Sequence, residues 1–249
     1  MRQLAIIVLS ILPTIFVGQN NYNYNKNLVV ISDTSYYLMQ LYESSSYELV
    51  DIKEYVPGIK LDIKYATPNN LIEEKIYPVS MAIVRRPLAE SLYKVQQSLN
   101  NYGLGLVIFD GYRPYGSTVR IYELFKDTNI IASPWQGSHH NRGTAVDVSL
   151  IDLEYGQEIQ MPTGYDNFSQ AAYSNYQNLP KNVLKNRDIL ISEMQNHGFK
   201  VNPKEWWHFD FIGWQEYDIM DLSFEQIEQI NRKKLINKEE ERMMVFVDY

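Results

Sequence analysis

Short apolar runs of strand length and amphipathic stretches of helical length follow one another along this chain without a regular strand–helix–strand rhythm and without an internal repeat. That order constrains the fold most. A regular rhythm would build a parallel sheet, whereas an irregular one favours an α+β fold, a largely antiparallel sheet with flanking helices. From Ile59 the run IKLDIKYAT alternates, which places Ile59, Leu61, Ile63 and Tyr65 on one face of an expected strand and turns Tyr65 inward at its end. RRPLAESLYKVQQSLNNYG follows, with Pro87 near a helix start, Leu88, Leu92, Val95 and Leu99 on one stripe, and Gly103 as the stop. LGLVIFD (104–110) reads as a buried strand ending in a Gly-Tyr-Arg-Pro turn. In TAVDVSL (144–150) Ala145, Asp147 and Ser149 share one face, and an acid on a strand face needs a partner. A second helix is expected at about 183–197, ending at Gly198, and EWWHFDFIGW (205–214) is an aromatic strand.

The two ends read differently. Arg2 precedes an apolar run from Leu4 to Val17 that is shorter than the roughly 20 residues a bilayer span needs. Residues 1–18 are therefore expected to be a secretory signal peptide, and the protein to be exported, to the periplasm of a bacterium, without stable membrane insertion once the signal is removed. Residues 19–47, rich in Asn, Tyr and Ser, are expected to be a weakly ordered linker. From Ser223 a Ser-x-x-Gln capping box opens a charged helical extension over 223–249, read as a solvated surface helix. The remaining 48–222 is one domain, long enough to bury a core without disulfides. Cysteine is absent, so no thiol can act as nucleophile or metal ligand, and any metal site must use His, Asp and Glu. Loss of residues 1–18 removes Arg2 and no acid, which moves the formal net charge from −7 to −8 and argues against nucleic acid as a partner.

There are 4 histidines, His139, His140, His197 and His208. In GSHHNRGTAVD (137–147) an imidazole, a turn-permitting glycine and a carboxylate come in quick succession, as a metal site or as a hydrogen-bonded pair. In EWWHF (205–209) Glu205 precedes His208 by three, so both can meet one metal only if the strand twists or turns; the alternative is an aromatic core strand with an exposed acid. Arg113, in the turn after an apolar strand, could stabilise an oxyanion or pair structurally with Asp110. His197 shares a helical face with Leu190 and Met194 and reads as structural.

Taken together these segments resemble the D-alanyl-D-alanine dipeptidases of the vancomycin-resistance type, zinc D,D-peptidases that share a fold with the Hedgehog signalling domain. The pattern Ser-x-His-x-x-Gly-x-Ala-x-Asp stands as Ser138, His140, Gly143, Ala145 and Asp147, and Glu-x-x-His as Glu205 and His208. KYAT (64–67), DGYRP (110–114) and the acid of TGYDNF, Asp166, come in the same order, so the resemblance covers roughly residues 50–215. It implies one zinc ion per chain on His140, Asp147 and His208, with Glu205 as general base and Arg113 stabilising the oxyanion. It further implies a small dipeptide substrate, D-Ala-D-Ala from cell-wall metabolism, whose ammonium group is held by Asp166, Ser138 and Tyr65. A zinc D,D- or L,D-carboxypeptidase acting on peptidoglycan stems is the alternative. His139 departs from the pattern, standing where relatives can carry a small hydroxyl residue. The spacing to Gly143 and Asp147 favours His140 as the ligand, and neighbours on a strand point to opposite faces, so the two histidines are not expected to meet one ion. Oligomeric state is not legible.

Overall fold

The computed structural model describes residues 27–127 and 132–247; the expected signal peptide and residues 19–26 of the expected linker lie outside them. The described part of that linker is structured. It forms strand β1 (Val30–Ile31) and helix α1 (Thr34–Glu43), where Asp33 caps the helix by accepting from the Ser35 amide at 2.7 Å. Composition misleads here because tyrosine buries a large apolar body behind a polar tip. Tyr37 is fully buried and its hydroxyl accepts from the Leu49 amide at 2.7 Å, while Gln40 donates to Asp218 at 2.8 Å.

Strand β2 (Leu49–Asp51) leads into the single-turn helix α2 (Ile52–Tyr55) and then β3 (Lys60–Leu61). The strand expected over 59–65 is thus cut short. The Tyr65 carbonyl accepts from the amides of Ile76 and Tyr77 at 2.9 and 2.8 Å, and the chain leaves the sheet edge in a 3-10 turn (Lys64–Ala66) that still buries Tyr65. Strand β4 (Ile83–Arg85) pairs antiparallel with β2. Helix α3 (Arg86–Asn100) then follows with Pro in its first turn and with Leu88, Leu92, Val95 and Leu99 fully buried, as the stripe requires.

The main sheet is built from β3, β5 (Leu104–Asp110), β6 (Ala145–Asp152), β7 (Phe199–Asn202) and β8 (Glu205–Phe211), in the order β3-β5-β6-β8-β7. Only the β3–β5 pair is parallel. Helices α3 and α5 (Lys181–Asn196) pack on the sheet and on each other, and α4 (Tyr115–Phe125) follows the turn after β5. Val146, Val148 and Leu150 join the core with Leu92, Val95, Leu190 and Met194, which leaves Ala145, Asp147 and Ser149 to the other face of β6. The fold is α+β. Among the described residues, no helix is long and apolar enough to cross a membrane.

Strand β9 (Ile219–Met220) pairs in parallel with β1, and α6 (Phe224–Val247) starts with the expected reciprocal cap: the Gln226 amide donates to Ser223 Oγ at 3.1 Å and the Ser223 amide to Gln226 Oε1 at 2.8 Å. Its first turns are not solvated, contrary to expectation. Phe224 and Ile227 are buried, Asn231 donates to the Leu49 carbonyl at 2.8 Å, and Lys234 pairs with Glu48 at 2.8 Å. The boundary expected at 222 therefore falls inside packed structure. Replacing Ile227 by Ala should cost about 2–5 kcal/mol of stability in urea unfolding, whereas Glu228→Ala, on the exposed side, should change it by less than about 0.5 kcal/mol.

Candidate metal centre

His140 sits in a 3-10 turn (His139–Arg142) that Ser138 caps and Gly143 ends. Gly143 has φ +70°, a left-handed conformation that favours glycine, and a Cβ there would also press on the Leu49 side chain. The histidine pair thus lies in a turn, and the strand argument used to separate the two does not apply. Four residues beyond Gly143, β6 carries Asp147, which stands opposite His208 in the β6–β8 register. The turn brings His140 back over that pair.

The three groups converge. His208 Nδ1 lies 2.9 Å from Asp147 Oδ1, and His140 Nε2 lies 3.3 Å from the same oxygen and 3.1 Å from His208 Nδ1. A tetrahedral ion with bonds of about 2.0–2.2 Å separates its ligand atoms by roughly 3.3–3.6 Å, so a small contraction is all that distinguishes this arrangement from a donor set for such an ion. The tautomers agree: His140 Nδ1–H donates to the Gly111 carbonyl at 2.7 Å, which leaves Nε2 as the free lone pair. Among the described residues, these three form the His, Asp and Glu group able to hold a metal ion.

Burial would raise the Asp147 carboxyl, but His140 and His208 beside it hold it well below the usual carboxylate range, and Tyr165 donates to its other oxygen at 2.8 Å. Burial would lower His208; hydrogen bonds to Asp147 and Asp210 overcome this and raise it well above the ordinary imidazole value. Glu205 opens β8, and its Oε2 lies 3.9 Å from His208 Nδ1. The twist this requires is present: the β7–β8 register jumps from Val201 opposite Phe209 to Asn202 opposite Glu205, so β8 bulges between the acid and the imidazole. Burial raises Glu205 above its ordinary value.

Arg113 makes the structural pair with Asp110 and lines the cleft as well. Its Nε and Nη2 donate to Asp110 Oδ2 at 3.1 and 2.6 Å, and the guanidinium also faces the Tyr65 ring at 5.0 Å while lining the cleft. Burial opposes its charge, but Asp110 keeps it firmly protonated. At the far side Tyr65 donates to Asp166 at 3.3 Å. Burial, and next the negative Asp147, push Asp166 up to about 7. Ser138 Oγ accepts from the His140 amide at 3.2 Å. One cleft of about 370 Å³ is lined by all eight expected residues, Tyr65, Arg113, Ser138, His140, Asp147, Asp166, Glu205 and His208. His139 lines it too but lies outside the donor group, with Nδ1 on Asp210 at 2.6 Å and its ring stacked on Trp214. His197 bonds Ser98 Oγ at 3.0 Å instead.

Sequence reasoning gave no role to Tyr165 or Asp210. Tyr165 precedes Asp166 in a segment already singled out, and Asp210 follows His208 by two, so the alternation of a strand would have placed it on the same side.

A family model described as D-ala-D-ala dipeptidase matches residues 45–227. The chain is 29% identical over 181 residues to the D-alanyl-D-alanine dipeptidase of Escherichia coli, spanning 73% of this chain and 93% of that one. It is 29% identical over 178 residues to the enzyme of the same name from Enterococcus faecium, spanning 64% and 88%. Among solved structures, the LD-carboxypeptidase LdcB is similar with a TM-score of 0.40 at 19% identity, covering 70% of this chain and 73% of that one.

The Asp166 shift has a consequence for stability. A carboxyl whose folded value is raised above its unfolded one binds the proton more tightly when folded, so its contribution is present below about pH 4 and is lost as pH rises through about 7. In metal-free protein Asp166→Asn should therefore gain on the unsubstituted chain between pH 4 and 8, by up to about 4 kcal/mol, read by urea unfolding at the two pH values. A gain that is flat with pH would contradict the shift.

Proposed function

The chain belongs to the D-Ala-D-Ala dipeptidase family of peptidases, and on that footing we propose that it hydrolyses free D-alanyl-D-alanine to two D-alanines, with one zinc ion held by His140, Asp147 and His208. The observation that carries this reading is the meeting, in one cleft, of that donor set with Glu205 on one side and Asp166 with Tyr65 on the other. Two imidazoles and a carboxylate are a donor set suited to zinc, and bound zinc supplies Lewis acidity toward the scissile carbonyl and the attacking water.

The chain's own residues do the rest. Glu205, raised by burial toward the working pH, takes a proton from the attacking water as its oxygen bonds to the carbonyl carbon. As the C–N bond breaks, Glu205 returns that proton to the departing amine. Arg113, oriented by Asp110, faces the negative charge that develops on the carbonyl oxygen. Asp166, Tyr65 and Ser138 hold the substrate's ammonium group. A dipeptide carries that ammonium one residue from the scissile bond, where a longer peptide continues as an uncharged amide. An arriving ammonium also adds to the stabilisation that Arg113 gives the Asp166 anion, so binding favours the ionised acid.

The catalytic unit in this reading comprises residues 48–222 and the docked first turns of α6. Residues 1–18 direct export, and the product is D-alanine from cell-wall precursors or fragments.

Two outcomes test the proposal. Glu205→Ala should bind zinc within about threefold of the unsubstituted chain while losing roughly 10²–10⁴-fold in kcat, and a chelator should abolish turnover of both proteins. Free D-Ala-D-Ala should be cleaved in strong preference to its N-acetyl derivative and to a stem pentapeptide. Preference for the pentapeptide would make the chain a carboxypeptidase instead.

A further inference from the structure

Asp210 stands two residues after His208 on β8, so both side chains leave the strand on the same side. Its Oδ1 meets two imidazoles at once, His208 Nε2 at 3.1 Å and His139 Nδ1 at 2.6 Å. For His208 to present the lone pair of Nδ1 beside Asp147 and His140, its proton must sit on Nε2, and an acceptor at Nε2 selects that tautomer. His140 receives the same service from the Gly111 carbonyl, which the backbone holds rigidly. Asp210 has no such anchor, since a carboxylate on a partly exposed side chain can rotate. His139 supplies the anchor. Its ring lies 3.8 Å from that of Trp214 at an interplanar angle of 27°, and its backbone belongs to the turn that carries His140. The adjacent histidines thus reach the site by two routes, His140 directly and His139 through Asp210 and His208. None of the hydrolytic steps above uses Asp210 or His139.

We propose that Asp210 is a positioning residue, held by His139 against Trp214, that fixes the tautomer and ring angle of His208 and so sets how tightly this chain holds zinc. The inference rests on the zinc reading of His140, Asp147 and His208. It also gives a purpose to His139, which lines the cleft without joining the donor group.

The test measures zinc dissociation constants of the full chain by competition with a chromophoric chelator, alongside thermal unfolding of the metal-free proteins. Asp210→Ala should weaken zinc about 10–100-fold with little change in metal-free unfolding. Asp210→Asn should fall between, because one amide oxygen can still accept from both imidazoles. His139→Ala should weaken zinc when Asp210 is present and have no further effect in the Asp210→Ala background, since it acts through that carboxylate. Should Asp210→Ala fail to fold, the same comparison is made in the Asp210→Asn background, where the His139→Ala loss should shrink. Zinc affinity within about twofold of the unsubstituted chain for both Asp210 variants, or a His139→Ala loss of equal size with and without Asp210, would overturn the inference. Absence of zinc binding by the unsubstituted chain would instead overturn the proposed function on which it rests.

Discussion

Asp147 is a carboxylate buried in the middle of a sheet, and its neighbours are arranged around the need to keep that charge satisfied. An isolated ionised acid in such a place would be strongly destabilising. Here the β6–β8 register sets His208 beside it, the His139–Arg142 turn brings His140 over it, and Tyr165 donates to the oxygen the imidazoles leave free. The turn is in turn held from behind. Arg85, fully buried, donates through Nε to the Arg142 carbonyl at 2.8 Å, its amide donates to the Gly143 carbonyl at 2.9 Å, and its Nη1 reaches the Tyr47 carbonyl. The N-terminal segment and β4 therefore help fix the height of His140 above the sheet.

That dependence explains what was legible in the sequence. Strand β6 and its acid followed from a period of two, α3 from a period near 3.6, and the candidate site from spacing within short segments, all of them local signals. The eight site residues share one cleft because the order β3-β5-β6-β8 sets the segments that carry Tyr65, Arg113, Asp147 and His208 side by side. What escaped was set by distant partners. Tyr37 and Gln40 order α1 only because Leu49 and Asp218 face them, and no composition count contains that information. The 3-10 turn at Lys64–Ala66 depends on the amides of Ile76 and Tyr77. The charged pattern of α6 was read correctly as a helix, yet its first turns are buried by Tyr77, Tyr112 and Glu48, more than 100 residues away in sequence.

For Arg113 the structural pair with Asp110 and the proposed contact with substrate do not compete. An arginine in a low-dielectric cleft needs a fixed counter-charge to stay both charged and oriented, and Asp110 supplies it through two donors on one oxygen. The pairing leaves the rest of the guanidinium facing the cleft. A structural ion pair is here the condition for presenting a charge to a ligand, in the same way that the Gly111 carbonyl is the condition for His140 to offer a lone pair.

Burial raises every one of four carboxylates in the cleft, yet two end low and two end high. Asp147 and Asp210 each touch imidazoles and are held low, whereas Glu205 and Asp166 have only more distant positive neighbours and are raised. Burial raises all four, so the difference comes from the imidazoles, which act on Asp147 and Asp210 through both charge and direct hydrogen bonds, whereas the hydrogen bond from Tyr65 does not offset burial at Asp166. The two acids held low are therefore suited to constant structural charge, and the two raised ones to proton exchange or to meeting an incoming cation. Asp166 raises this point most sharply: it is destabilised as an anion partly by Asp147, and any positive group placed on the Asp147 side or beside Asp166 itself relieves the same repulsion. In the proposed reading, a cation at the His140, Asp147 and His208 donors and an ammonium group at Asp166 would therefore each ease the repulsion between Asp147 and Asp166.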